Sequence, residues 1–125
     1  MSVQTSMWLD DQRAPPVGSG MNWTWVKSHD EAVELLKTGA VIFASLDHDL
    51  ADEHYVAFFE GRDCNDCKEK TGYSTLCWME EFNVWPVNGV RIHTMNTVRK
   101  PVMISVVEKV YGRTFQFQMS GTHNV

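Results

Sequence analysis

The sequence predicts an α/β fold built on a mainly parallel five-stranded sheet, and three observations carry that prediction. Short apolar runs alternate with amphipathic segments in the order strand, strand, helix, strand, helix, strand, helix, strand. One run, Ala40-Val41-Ile42-Phe43-Ala44, is almost continuously apolar, as suits a central strand covered on both faces. The length of 125 residues, with 43% apolar and 22% charged, fits one domain spanning residues 1–125 rather than two.

Each element has its own local reason. The first strand is Met7-Trp8-Leu9, stopped by Asp10-Asp11. Gln12 to Asn22 carries Pro15-Pro16 and Gly18-Ser19-Gly20, which interrupt regular structure and predict a loop. That link of about 13 residues is near the lower limit for a parallel crossover, so the first crossover is reduced. Trp23 to Val26 is the second strand. Ser28-His29-Asp30-Glu31 has the spacing of a capping box, and the helix it opens has Ala32, Leu35 and Leu36 on one face and Gly39 at its end. After the central strand, residues 51–72 read as irregular, with 53–70 as an insertion, and Ser74 to Phe82 as a short helix. Val90 and Ile92 alternate with Arg91 and His93 as a fourth strand. A helix begins near Pro101, with Val102, Val106 and Val110 along one face. Phe115, Phe117 and Met119 alternate with Gln116 and Gln118 as a fifth strand.

Composition removes several function classes. A formal net charge of −5 and a pI near 5.4 oppose a cationic surface for duplex DNA, but leave a small nucleotide or an RNA end open. No apolar run approaches the length that crosses a bilayer, and no basic-then-apolar leader opens the chain. Three cysteines, two of them as Cys64-Asn-Asp-Cys67, fit a reduced cytoplasmic setting better than a disulfide framework.

Three apolar strands end in polar clusters: Asp10-Asp11-x-Arg13, Asp47-His48-Asp49 and His93-x-x-Asn96. The carboxyl ends of parallel strands share one edge, where ligands bind, so the clusters are expected to converge. Carboxylates brought together repel unless a cation neutralises them, which makes Asp10, Asp11, Asp47 and Asp49 candidate ligands for magnesium or manganese. His48 and His93 suit acid and base work near neutrality. Arg13, Arg99 and Lys100 can hold phosphate oxygens, with Thr94 and Asn96 as further substrate-binding groups.

Two other features compete with blander readings. His54, Cys64, Cys67 and Cys77 form a His-x9-Cys-x2-Cys-x9-Cys set that can build a structural zinc site, although Cys77 on a helix also suits a buried free thiol. Trp23 and Trp25 share one strand face. They suit the core of a small domain, or a platform for a base.

Trp8-Leu9-Asp10-Asp11-Gln12-Arg13-Ala14-Pro15-Pro16, Ser45-Leu46-Asp47-His48-Asp49-Leu50, Thr71-Gly72-Tyr73 and Ile92-His93-Thr94-Met95-Asn96 together resemble the cyclic-phosphate-processing receiver-like domain family, in order from about Met7 to Met103. The resemblance implies a receiver-like (flavodoxin-like) three-layer sandwich and a role in processing cyclic phosphates. At matching positions it implies Asp10, Asp11, Arg13, Asp47, His48, Asp49, His93 and Asn96 as site residues. The chain departs from the family pattern at Ala51, Ser74 and Thr97. The functional expectation is a phosphodiesterase acting on a cyclic nucleotide or an RNA 2′,3′-cyclic phosphate end, with or without a metal. The alternatives are a non-catalytic binder that sequesters a nucleotide signal, and a receiver that accepts phosphate on Asp47.

Overall fold

The computed structural model describes residues 3–18, 20–61 and 70–112. Among them the order of elements is β1 (Thr5–Leu9), β2 (Trp23–Val26), α1 (His29–Lys37), β3 (Val41–Leu46), α2 (Asp52–Phe59), α3 (Gly72–Phe82), β4 (Val90–Ile92) and α4 (Lys100–Tyr111). The four strands form one sheet in the order β2-β1-β3-β4, and every pairing is parallel. This is the expected flavodoxin-like arrangement, with four strands among the described residues; the expected fifth, at 115–119, lies outside them.

Alternation along the strands sorts the two sheet faces. Met7, Leu9, Ala44, Leu46, Val90 and Ile92 point to one face, where they form a single core with Ala32 and Leu36 of α1, Leu76 and Met79 of α3, and Met103 and Val107 of α4. The opposite face carries Trp8, Trp23 and Phe43. Trp8 packs edge to face on Trp23, centroids 5.3 Å apart, and Trp23 in turn stands 6.2 Å from Phe43. Among its described residues the link from β1 to β2 contains no helix, as expected of a reduced first crossover. The Trp8 indole N–H donates to the Arg13 carbonyl oxygen at 2.7 Å, drawing that loop against the sheet.

Helix starts follow capping chemistry. The Ser28 hydroxyl accepts from the Glu31 amide at 3.2 Å, while the Glu31 carboxylate reaches past Ser28 to the Lys27 amide at 3.0 Å. The reciprocal box predicted at Ser28 is instead complete at α3, between Thr71 and Ser74. That helix therefore starts at Gly72, two residues before the predicted Ser74. A second correction concerns residues 51–72, expected to be irregular: the chain forms α2 at Asp52–Phe59. Among its described side chains His54 and Ala57 are buried, at 0% and 1% exposed, while Val56 and Phe59 are open to solvent, so a narrow buried face fixes a helix whose apolar run has no clear period. No helix among the described residues is long and apolar enough to cross a membrane.

Candidate functional site

Strand register assembles the site. The Asp10 amide donates to the Val26 carbonyl at 3.0 Å, the Asp47 amide to Leu9 at 2.9 Å and the His93 amide to Leu46 at 2.9 Å. Each residue sits one step past its own strand and is held by the last residue of the neighbouring strand. Three clusters 37 and more residues apart in sequence thereby meet on one edge, as the parallel topology requires.

Asp10 is fully buried and saturated with donors. One carboxylate oxygen accepts from the Gln12 and Arg13 amides at 2.9 and 2.8 Å. The other accepts from Arg13 Nε at 2.9 Å and faces His93 Nε2 at 3.2 Å. Burial alone would push this carboxyl up, but the His93 bond, the two amides and the Arg13 charge outweigh it and lower it to about 2.

Asp47 shows the opposite balance. Its Oδ1 accepts from the His48 amide at 2.7 Å, whereas Oδ2 is buried without a hydrogen bond. Arg13 Nη2 stands 3.3 Å from that oxygen, close enough for charge attraction but without hydrogen-bond alignment. Burial, helped by the neighbouring Asp10 charge, pushes the Asp47 carboxyl up to about 6, against the lowering influence of Thr94, the His48 amide and Arg13.

Asp10, Asp11 and Asp47 each offer a ligand atom within 4.8 Å of the others. A buried carboxylate oxygen with no hydrogen bond, beside two further carboxylates, is an oxygen donor set that can hold a metal ion. Asp49 stands apart from that trio. Its Oδ1 lies 2.9 Å from His48 Nδ1, and the Asn96 side-chain amide approaches its two oxygens at 3.4 and 3.5 Å.

The two histidines are held differently. A carboxylate only accepts, so His93 Nε2 carries the proton it shares with Asp10, and Nδ1 accepts from the Ser45 hydroxyl at 2.6 Å. Burial, the largest influence, and nearby arginines lower the His93 pKa, despite Asp10; the ring is neutral with both nitrogens engaged. His48 is also buried. Its Nδ1–H donates to Asp49, and no bond to its Nε2 occurs among the described residues.

The remaining candidates divide between structure and rim. Asn96 Oδ1 accepts from the Val98 and Arg99 amides at 3.1 and 3.0 Å, and the Thr94 hydroxyl accepts from the Asn96 amide at 3.1 Å, so both shape the turn into α4. Arg99 lies over the Tyr73 ring, 5.3 Å from its centroid, on the start of α3, while Lys100 is exposed. His54 is wholly buried, and its Nδ1 accepts from the Leu50 amide at 2.8 Å. Cys77 is an exposed free thiol, not the buried one expected, and Cys64 and Cys67 lie outside the described residues.

Two contributors escaped the sequence reading. Ser45 looks like an ordinary strand residue, and only the register that sets it opposite β4 exposes its role. Gly72 donates to the His48 carbonyl at 2.9 Å. A Cβ on it would collide with the Asp47 carbonyl oxygen, so α3 begins on the site's own backbone.

Residues 5–109 match the family model described as Cyclic-phosphate processing Receiver domain. No curated protein and no solved structure matches the chain significantly.

Proposed function

Because the chain belongs to the cyclic-phosphate processing receiver domain family, we propose that it hydrolyses a cyclic phosphodiester in a nucleotide signal or at an RNA 2′,3′-cyclic phosphate end. The observation that carries this reading is the gathering of Asp10 and Asp11, after β1, with Asp47, whose buried Oδ2 has no hydrogen bond and which directly precedes His48 after β3. Asp10, Asp11 and Asp47 would hold a divalent cation, which would supply charge neutralisation for the phosphate.

The chain's own groups divide the remaining work. Asp49 holds the Nδ1–H of His48, which orients the ring and leaves Nε2 as the nitrogen that exchanges a proton with water or the leaving ribose oxygen. His93 has partners on both nitrogens, which supports a positioning role for it in place of the expected acid or base. Arg13 is nearly half exposed along its side chain and presents the guanidinium to an incoming phosphate.

The test is a screen of 2′,3′-cyclic nucleotides and cyclic oligonucleotides with magnesium or manganese, followed by denaturation and mass analysis of the released small molecules. Hydrolysed product supports the enzyme. Retained, unaltered ligand replaces it with the sequestering binder, and an acyl-phosphate on Asp47 after incubation with acetyl phosphate replaces it with a phospho-accepting receiver.

A further inference from the structure

The tryptophans on the sheet face opposite the core are not equivalent. Trp8 is 6% exposed and Trp25 is 38% exposed, although Trp25 pairs directly with Trp8 across β1 and β2. Trp25 lies near the carboxyl end of β2, on the edge where the site forms. Its indole N–H donates to the Asp10 carbonyl oxygen at 2.7 Å, which ties the ring to the residue whose carboxylate faces Asp11 and Asp47. Lys27 Nζ stands over the same ring, 4.5 Å from its centroid.

We propose that the Trp25 indole is the platform on which the base of a nucleotide ligand stacks when its phosphate occupies the acidic site; this rests on the function proposed above and specifies its substrate class. An indole anchored by its N–H loses little freedom on binding. Stacking on it is open to any base, because every base has a π face. Lys27 is exposed and lies over a face of this ring; its long side chain swings aside for a stacking base and keeps positive charge beside an anionic nucleotide. The selection is therefore for base-bearing over base-free cyclic phosphates, with little discrimination among bases.

The experiment measures equilibrium binding of 2′,3′-cyclic AMP and of glycerol 1,2-cyclic phosphate by calorimetry, in a His48→Ala background that suppresses turnover. Trp25→Gln keeps an amide donor for the Asp10 carbonyl and deletes the ring; Trp25→Phe keeps a ring and deletes the donor. Stacking worth about 1 to 3 kcal/mol predicts that Trp25→Gln weakens 2′,3′-cyclic AMP about 5- to 150-fold while the glycerol ligand changes less than about twofold, and that Trp25→Phe retains the preference for the base. Equal weakening of both ligands by Trp25→Gln overturns the platform and leaves the indole as a brace for the Asp10 loop. Should the Gln variant fail to fold, absence of a preference for 2′,3′-cyclic AMP in the background protein overturns it as well. A parent protein that neither binds nor hydrolyses any cyclic phosphate defeats the proposed function itself, whereas equal binding of both ligands defeats the platform alone.

Discussion

The imidazole of His93 lies flat against the indole of Trp8, with centroids 3.8 Å apart and planes within 6°. Together with Ser45 and Asp10, which hold the two nitrogens, this stack fixes the ring in all directions. His93 follows β4 and Trp8 belongs to β1, yet the two strands are not neighbours in the sheet. The contact bridges the ends of β1 and β4 over β3.

Replacing Ser45 with alanine removes the donor to a buried ring nitrogen. We expect a loss of about 1 to 3 kcal/mol in unfolding free energy, the cost of leaving such a group unsatisfied. Nitrogen-15 spectra of the imidazole will show the Nε2–H tautomer of His93 in the parent and a tautomer mixture in Ser45→Ala. An unchanged tautomer in the variant would show that Asp10 alone sets the ring.

His48→Ala and His93→Ala are expected to differ in kind. Loss of a proton-transfer group lowers turnover by about 10² to 10⁴ with little change in affinity, and that is the result expected for His48. His93→Ala deletes a stacked, doubly bonded ring, so it should lower melting temperature as well as activity, and His93→Gln should recover part of both. Kinetics with a cyclic phosphate substrate and thermal unfolding of the same samples check the distinction. Full turnover in His48→Ala would remove it from the mechanism.

The two buried aspartates give opposite pH dependences. Asp10, lowered to about 2, contributes stability that is present above its ordinary value of 3.8 and lost as pH falls through about 2. Asp47, raised to about 6, contributes stability that is present below 3.8 and lost as pH rises through about 6, on the order of 3 kcal/mol. In EDTA, Asp47→Asn should therefore be more stable than the parent at pH 8 and lack the parent's decline between pH 4 and 7. Magnesium or manganese should raise the melting temperature of the parent at pH 7.5, do so far less at pH 5, and leave Asp47→Asn unmoved. Thermal unfolding across this range, with and without metal, reads all three outcomes.

Gly72→Ala places a methyl group against the Asp47 carbonyl. Because the obstacle is backbone rather than a flexible side chain, we expect a loss of about 2 kcal/mol or more, measured by denaturant unfolding. Ala57→Gly, on α2, should cost only about 1 kcal/mol plus its lost contact, and serves as the comparison.

Much of this was legible in the sequence because the polar clusters end the most apolar strands, and register did the rest. The Asp10, Asp47 and His93 positions follow from where Leu9, Leu46 and Ile92 stop. The division of labour was not legible. Asp49 next to Asp47 looks like a fourth metal ligand, and only the rotation of its side chain toward His48 and Asn96 separates the two. His48 and His93 likewise read as a symmetric pair, since nothing in the chain announces that Ser45 lies across from β4. The helix α2 is not legible because, among the described side chains of its short apolar segment, Ala57 alone is deeply buried, too little to define a period. His54, a possible zinc ligand by its spacing to the cysteines, turns its Nδ1 to the Leu50 amide, a local contact that the spacing does not announce.

Asp10, Asp47 and His93 owe their places to main-chain amides bonded to Val26, Leu9 and Leu46, and only proline lacks such an amide. Any other exchange at these positions therefore begins from an anchorage the side chain does not supply. The pocket is in this sense a socket whose pins are interchangeable. Swapping a carboxylate for an imidazole or a thiolate would alter the hardness of the donor set, and with it the preferred metal, without asking the sheet to find a new register.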